Sequence, residues 1–430
     1  MSLQTALTGL NGAQTGLDTV SNDLANASTT AFKSQTAEFA DIYPSGSSNV
    51  PGLGVTTSSM DTDFAQGAPV STGNPFDAAI QGNGFFVVDQ GGTQEYTRDG
   101  SFELNDSDEL VSAATGAQVM GIQANGALGP ITVNTGAMPA TATTGLGLAF
   151  NLDSSTAMPT NPTFSPADAT SYADTYPVTT YDSLGNANTV QLYFQPTTAS
   201  AGAALSYNVY TQTPAQAAAA TAATAAGTTL GSPADYSALT TLNFNSSGAL
   251  VPAPTPPATT PTSGSPATLT VAGWGDGAAA STINFDFTGT TLASQSFALA
   301  GQTTPTGFTA GYPPGNYSGT TISSTGELVS TYSNGQSQDS GTLAIANFIN
   351  QQGLTPLSGN LYASSTSSGQ PVIDAPGTGQ AGSVNGGELE QSNASTSELL
   401  VSLIEYQQAY QANASVIQTE QTDSTRLTQI

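Results

Sequence analysis

Over the first 27 residues the apolar positions form an unbroken heptad. Leu3, Leu10, Leu17 and Leu24 fall seven apart, and Ala6, Ala13, Val20 and Ala27 lie three further on. This a/d stripe predicts a helix over residues 1–33 whose apolar surface is a narrow seam. One track is large and the other mostly small, a shape suited to meeting a second helix. The last 32 residues hold a counterpart, with Leu399, Leu403, Tyr406, Tyr410 and Ile417 at spacings of 4, 3, 4 and 7. A heptad of under four repeats also fits the buried stripe of an ordinary surface helix; the matching pattern at the other end favours pairing. The polar positions (Asn11, Gln14, Asn22, Asn26, Gln407, Gln408, Gln411, Asn413) offer few salt bridges. Both helices are therefore marginal alone in water and are expected to order on assembly.

Between the ends the period changes. Residues 34–70 place short apolar touches among Pro44, Gly46, Pro51, Gly52 and Gly54, which predicts an extended, irregular connector. From about residue 71 the pattern is that of strands. Phe85-Phe86-Val87-Val88 follows Gly82-Asn83-Gly84, and Tyr96 to Phe102 carries an Asp99-Gly100 step read as a tight turn with a left-handed glycine. Residues 146–305 hold no Glu and no basic residue, alternate clearly at 178–181, 190–194, 207–210 and 283–287, and include Ala/Thr-rich (215–229) and Pro/Thr-rich (252–267) stretches. The reading is a multidomain, mainly β chain with α-helical coiled-coil termini and nested, discontinuous domains. Residues 1–33 with 388–430 form a helical terminal assembly domain, and 34–70 the connector. Residues 71–145 with 306–387 form a β-rich middle domain, and 146–305 an inserted outer β domain. The Gly/Pro-rich segments near 44–54 and 370–387 read as hinges or spacers.

Charge narrows the partners. Thirty acidic residues face three basic ones, Lys33, Arg98 and Arg426, for a net charge of −27. Nucleic acid and anionic membrane need clustered cations and are poor partners. Charged residues make up 8% of the chain against about 25% in ordinary soluble domains. The surface is thus mostly Ser, Thr, Asn, Gln and Gly, as in proteins outside the cell. No apolar run is long enough to span a membrane, and no signal peptide is visible; an extracellular composition then implies a dedicated export route.

Chemistry is sparse. The absence of Cys and His removes thiol nucleophiles, disulfides, and the commonest general base and metal ligand. Asp106, Asp108 and Glu109 are too few oxygens for a calcium loop and read as a solvated turn. Gly82-Asn83-Gly84 precedes a strand, where a phosphate loop would precede a helix. Carboxylate pairs are inevitable among thirty acids, so a glycan-active enzyme is the one enzymatic reading left. No catalytic residue, metal or cofactor is expected.

Several blocks resemble those of bacterial flagellar rod and hook proteins. Ser21 to Lys33 is similar to a signature of the form NNIANxxTxGFK through Asn22, Leu24, Ala25, Asn26, Phe32 and Lys33, with Asp23 for the second Asn and Ala31 for Gly. Gln81-Gly82-Asn83-Gly84-Phe85-Phe86 and the block from Tyr96 through Arg98 and Gly100 to Phe102 look like the next two. Gly387 to Asn393 and Tyr406 to Asn413, including Gln411, look like the C-terminal ones, with Gln408 for the usual Arg. Val178 to Asn186 and Ala344 to Phe348 resemble the hook branch in particular. The resemblance implies a non-enzymatic subunit that polymerises with itself into a helical, curved tube. Its implied partners are the distal rod protein, the hook cap protein, the hook–filament junction proteins and the flagellar export apparatus, and its implied location is extracellular. The working surface is then the helical seam (Leu3, Leu10, Leu17, Leu24, Leu399, Leu403, Tyr406, Tyr410, Ile417), with Asn22, Asn26, Lys33 and Gln411 orienting contacts and Asn413 beside them. Polar, weakly charged outer β domains would let neighbouring subunits slide as the tube bends. The alternatives are another axial protein of distal rod type and a secreted β-rich adhesin.

Overall fold

The structure is a computed structural model, and it describes residues 2–43, 52–197, 206–225, 236, 238–251 and 267–428. The helices within it are α1 (Ser2–Ala25), α2 (Pro214–Ala225) and α3 (Thr396–Thr428). The chain divides into two compact units, Met1–Thr135 with Tyr317–Thr331 and Ser337–Ile430, and Gly136–Asn316 with Tyr332–Gln336. The terminal helices therefore share a unit with the β-rich body. The inserted unit is wider at both ends than 146–305, its entering and leaving segments being joined by isolated bridges at Met138–Gly315 and Thr141–Tyr312.

In the first unit α1 stops at Ala25, short of the expected Lys33. Residues 26–31 are turns, and Ala31 sits buried at φ +55°. The left-handed residue reverses the chain, and its N–H reaches Glu390 O at 2.8 Å. The expected irregular connector is instead an antiparallel hairpin of β1 (Gln35–Ile42) and β2 (Gly54–Thr62), in register from Gln35↔Thr62 to Ile42↔Gly54 with a bulge at Glu38/Phe39. Backbone pairing compensates for its short apolar content. Pro44, Gly46 and Pro51 lie outside the described residues.

Next come β3 (Pro69–Ser71), β4 (Ala78–Gln81), β5 (Phe85–Gln90) and β6 (Thr93–Thr97). β5 pairs with β6, Gln118–Ile122 and Ile345–Asn347. Successive side chains point to opposite faces. Phe86 and Val88 enter a core with Phe102, Leu110 and Val119, while Phe85 and Val87 enter another with Tyr96, Phe348 and Tyr362. A strand covered on both faces explains why this run is continuously apolar. The segment 370–387, expected as a hinge or spacer, is built into the sheets. Val372–Asp374 pairs with Ile345–Asn347, and Ser383–Gly386 with β4. Its glycines admit close backbone approach, Gly382 at the Gln81 carbonyl and Gly386 at Ile322.

In the second unit Gly145–Asp153 pairs with Ser281–Asp286, Thr291–Ala293 and Ala298–Thr303. A four-stranded antiparallel sheet follows the order Asp174–Tyr181, Ala187–Thr197, Ser206–Gln212, Ala238–Asn243. Residues from both sheets, Leu148, Phe150, Leu192, Phe194, Val209 and Phe285 among them, form one buried core.

Candidate functional site

α1 and α3 run antiparallel. Gly9 lies opposite Asn413, where an added Cβ would stand 2.9 Å from Asn413 Oδ1, and Gly16 lies opposite Tyr406, with 2.6 Å to the ring Cζ. On its other flank α1 meets the hairpin: a Cβ added at Gly12 would stand 3.4 Å from Val55 Cγ1, and Thr8 Oγ1 accepts the Val55 N–H. A helix with two close neighbours must turn its small residues inward. Ala6, Ala13 and Val20 are accordingly buried, while Leu3 is 47% exposed and Leu10, Leu17 and Leu24 are half-buried on the flank. The large-and-small seam read from the heptad thus closes within the chain on its small track only. On α3, Leu399, Leu403, Tyr406, Tyr410, Asn413 and Ile417 are half-buried, and Gln411 is exposed. Asn22 and Ala25 are exposed too, and Asn26 Nδ2 donates to Asn22 O at 3.0 Å past the end of α1.

A second apolar stripe escaped the heptad reading. Leu400, Val401 and Ile404 are 50–57% exposed near the start of α3, and Leu7 is 50% exposed near the start of α1. The Leu400-to-Ile404 step of four, adjacent to the Leu399–Leu403 step, was the available signal; it reads as one broad face until the structure shows which side is covered.

Below the helix pair, two of the chain's three cations converge on one acid. Lys33 Nζ lies 2.6 Å from Glu390 Oε1, and Arg98 Nη1 lies 3.5 Å from Glu390 Oε2, all three side chains being buried. Lys33 also donates to Ala65 O, Arg98 to Gly82 O at 2.8 Å, and the Gly67 N–H to Glu390 Oε1. Arg98 stands 5.4 Å above the Phe85 ring. Burial lowers the affinity of Lys33 and Arg98 for their protons, against which Glu390 acts, and burial pushes the nearby Tyr362 hydroxyl up to about 12. Asn393 completes the node, accepting the Ser34 N–H and donating to Asp63 O. Three blocks from the first quarter of the chain meet a fourth from near its other end here, and Glu390 and Asn393, unremarked within their block, are its centre.

The glycines of those blocks have separate reasons. Gly82 and Gly84 have φ of +106° and +119°, and a Cβ at Gly84 would collide with Ile345. Gly100, expected to be left-handed, is not; its Cβ position is filled by the Ala78 carbonyl, and Ala78 N–H donates to Gly100 O at 3.0 Å. Asp106, Asp108 and Glu109 belong to a turn organised by Asn105 Oδ1. Among the described residues no group of three or more ligand side chains is placed to hold a metal ion.

Between the end of α1, the start of β1 and the start of α3 lies a cavity of about 240 Å³. Asp23, Asp63 and Glu398 line it. Asp23 is 1% exposed; one carboxylate oxygen accepts the Gln35 N–H at 2.9 Å, and Oδ1 has no partner. Burial pushes Asp23 up to about 6, the Gln35 contact offsetting part of it.

A helix pair built from both chain ends, keyed to a β body by a buried ion triad, with an inserted β unit, defines the class of axial flagellar proteins. Family models agree block by block: Flagella basal body rod protein (residues 3–33), Flagellar hook protein FlgE/F/G D1 domain (79–145), Flagellar basal body protein FlaE D2 domain (151–308) and Flagellar basal body rod FlgEFG protein C-terminal (385–430). Within the class, the chain belongs to the flagellar hook protein FlgE family. It is 35% identical to the hook protein of Salmonella typhimurium over 98% of this chain and 97% of that one, and 35% identical to that of Escherichia coli K12 at the same coverage. Against the hook protein of Treponema pallidum it is 30% identical, again over 98% and 97%. The crystal structure of Helicobacter pylori flagellar hook protein FlgE2 shares the fold, with a TM-score of 0.53 and 15% identity over 75% of this chain and all of that one.

Proposed function

We propose that this chain is the structural subunit of a bacterial flagellar hook, polymerising into a curved, flexible tube that carries torque from rod to filament. The observation that carries the reading is the apolar surface left open on the terminal helices, Leu3, Leu7, Leu400, Val401 and Ile404, on a chain with so few charges. Each such side chain, already about half covered, contributes about 0.7–1.5 kcal/mol when its burial is completed, and identical subunits joined head to tail without closure make a filament. The half-buried seam residues, from Leu10 to Ile417, would complete their burial in the same contacts. The subunit works by contact and performs no reaction. Its further partners are the distal rod protein, the hook cap protein and the hook–filament junction proteins, and it reaches the outside of the cell through the flagellar export apparatus. No helix of the described residues is long and apolar enough to cross a membrane.

Electron microscopy of the full chain under salting-out conditions, beside a Leu400→Ser/Ile404→Ser variant, tests this. Tubes from the parent and monomers of unchanged thermal stability from the variant are expected. Tubes from both would mean that the exposed helical face does not drive assembly.

A further inference from the structure

The two ends of the helix pair are chemically opposite. The opposition of Gly9 to Asn413 and of Gly16 to Tyr406 puts the end of α1 beside the start of α3. By the same register the far end of α3 projects past the start of α1. The near end holds the cavity with Asp23, Asp63 and Glu398 and no cation. The far end carries Arg426, exposed in the last turn of α3. Lys33 and Arg98 are sequestered on Glu390, so Arg426 is the one basic side chain the sequence leaves for a contact outside the fold.

The cavity has the marks of an unfilled receptor. Asp23 is buried with an oxygen that no group satisfies, which costs free energy until a donor arrives. At about 30 Å³ per water, its volume takes a planar guanidinium and part of its stem. A guanidinium is the donor best matched to carboxylates, through paired N–H groups in a fixed fork. Glu420 and Asp423 lie two turns and one turn back from Arg426 on α3, so the helix tip leads with its cation.

The geometry points to the cavity around Asp23 and Glu398 as the receptor for Arg426 of a second copy of this chain, joining helix pairs end to end. The inference deepens the assembly reading and rests on it. The contact would fix the axial step between copies, leaving the exposed Leu400, Val401 and Ile404 to bury area around it.

The chain has no cysteine, so an engineered pair reports cleanly. Glu398 and Arg426 lie on one helix, about 42 Å apart at 1.5 Å per residue, too far for an internal crosslink. Treatment of polymer made from a Glu398→Cys/Arg426→Cys chain with a short bis-maleimide, whose reach replaces that of the two lost side chains, should give a ladder of covalent multimers, while either single variant gives none. Critical concentrations give the second reading. Arg426→Gln should raise the value about tenfold, Arg426→Lys less, and Glu398→Gln should add little once Arg426 is gone. Polymer that forms normally yet gives no ladder, or Arg426→Gln polymerising at the parent concentration, overturns the Arg426 contact and leaves the hook reading standing. Failure of the parent chain to polymerise under every salting-out condition overturns both. If the cysteine pair itself does not polymerise, the critical concentrations decide.

Discussion

Alanine at Gly12 and at Gly16 should move the stability of the α1–α3 pair in opposite directions. In a helix interior Gly→Ala gains about 0.8–1.0 kcal/mol from backbone propensity at either position. At Gly12 the new methyl would stand 3.4 Å from Val55 Cγ1 and 3.5 Å from Phe39 Cε1, ordinary contact distances. Burying it adds up to about 0.8 kcal/mol, for a net gain of about 1–1.5 kcal/mol. At Gly16 the methyl would stand 2.6 Å from Tyr406 Cζ and closer still to Cε1 of the same ring. The ring must move out of the seam, and overpacking of this kind costs about 1–3 kcal/mol, so the propensity gain is cancelled or exceeded. The two variants should differ by about 2 kcal/mol, roughly thirtyfold in the opening equilibrium of the pair. Amide hydrogen exchange of the full chain, assembled and unassembled, reads this as protection of α1 between Ala13 and Val20. Protection equal in the two variants, or greater in Gly16→Ala, would refute the claim that small residues are there to let α3 approach.

Two further changes probe the base of the pair. Glu390→Gln strands Lys33 and Arg98 as buried cations without an anion, and should cost about 3–5 kcal/mol in chemical denaturation of the first unit; a loss under about 1 kcal/mol would mean that the triad is dispensable. Asp23, raised from 3.8 to about 6, keeps in the folded chain a proton that the unfolded chain releases. Its contribution therefore falls as pH rises through about 4–6, by up to about 3 kcal/mol. Asp23→Asn should flatten that dependence and raise monomer stability near pH 7 by about 2 kcal/mol, while raising the critical concentration for assembly. A variant whose stability retains the parent pH slope over this range would place the titration elsewhere.

The periodicity of the ends, the β character of the interior and the insertion of one unit within another are properties of local pattern, and the sequence determined them unaided. So did the scarcity of cations, which made any charge contact within the fold a matter of three residues. What it did not determine is orientation. A heptad names a stripe without saying which of its tracks is covered, and the leucines lost the inside of α1 because two neighbours, α3 and the hairpin, close in on adjacent flanks of the helix and leave room there for small residues. The hairpin itself was invisible, since its stability lies in cross-strand backbone bonds and not in apolar alternation. Glu390 could not be singled out among thirty acids until Lys33 and Arg98, 357 and 292 residues away, arrived beside it. Nor could Asp23 be told from a solvated helix residue, because its burial is made by β1 and the start of α3. Local preference is written residue by residue; proximity between distant segments is decided only when the whole chain has packed.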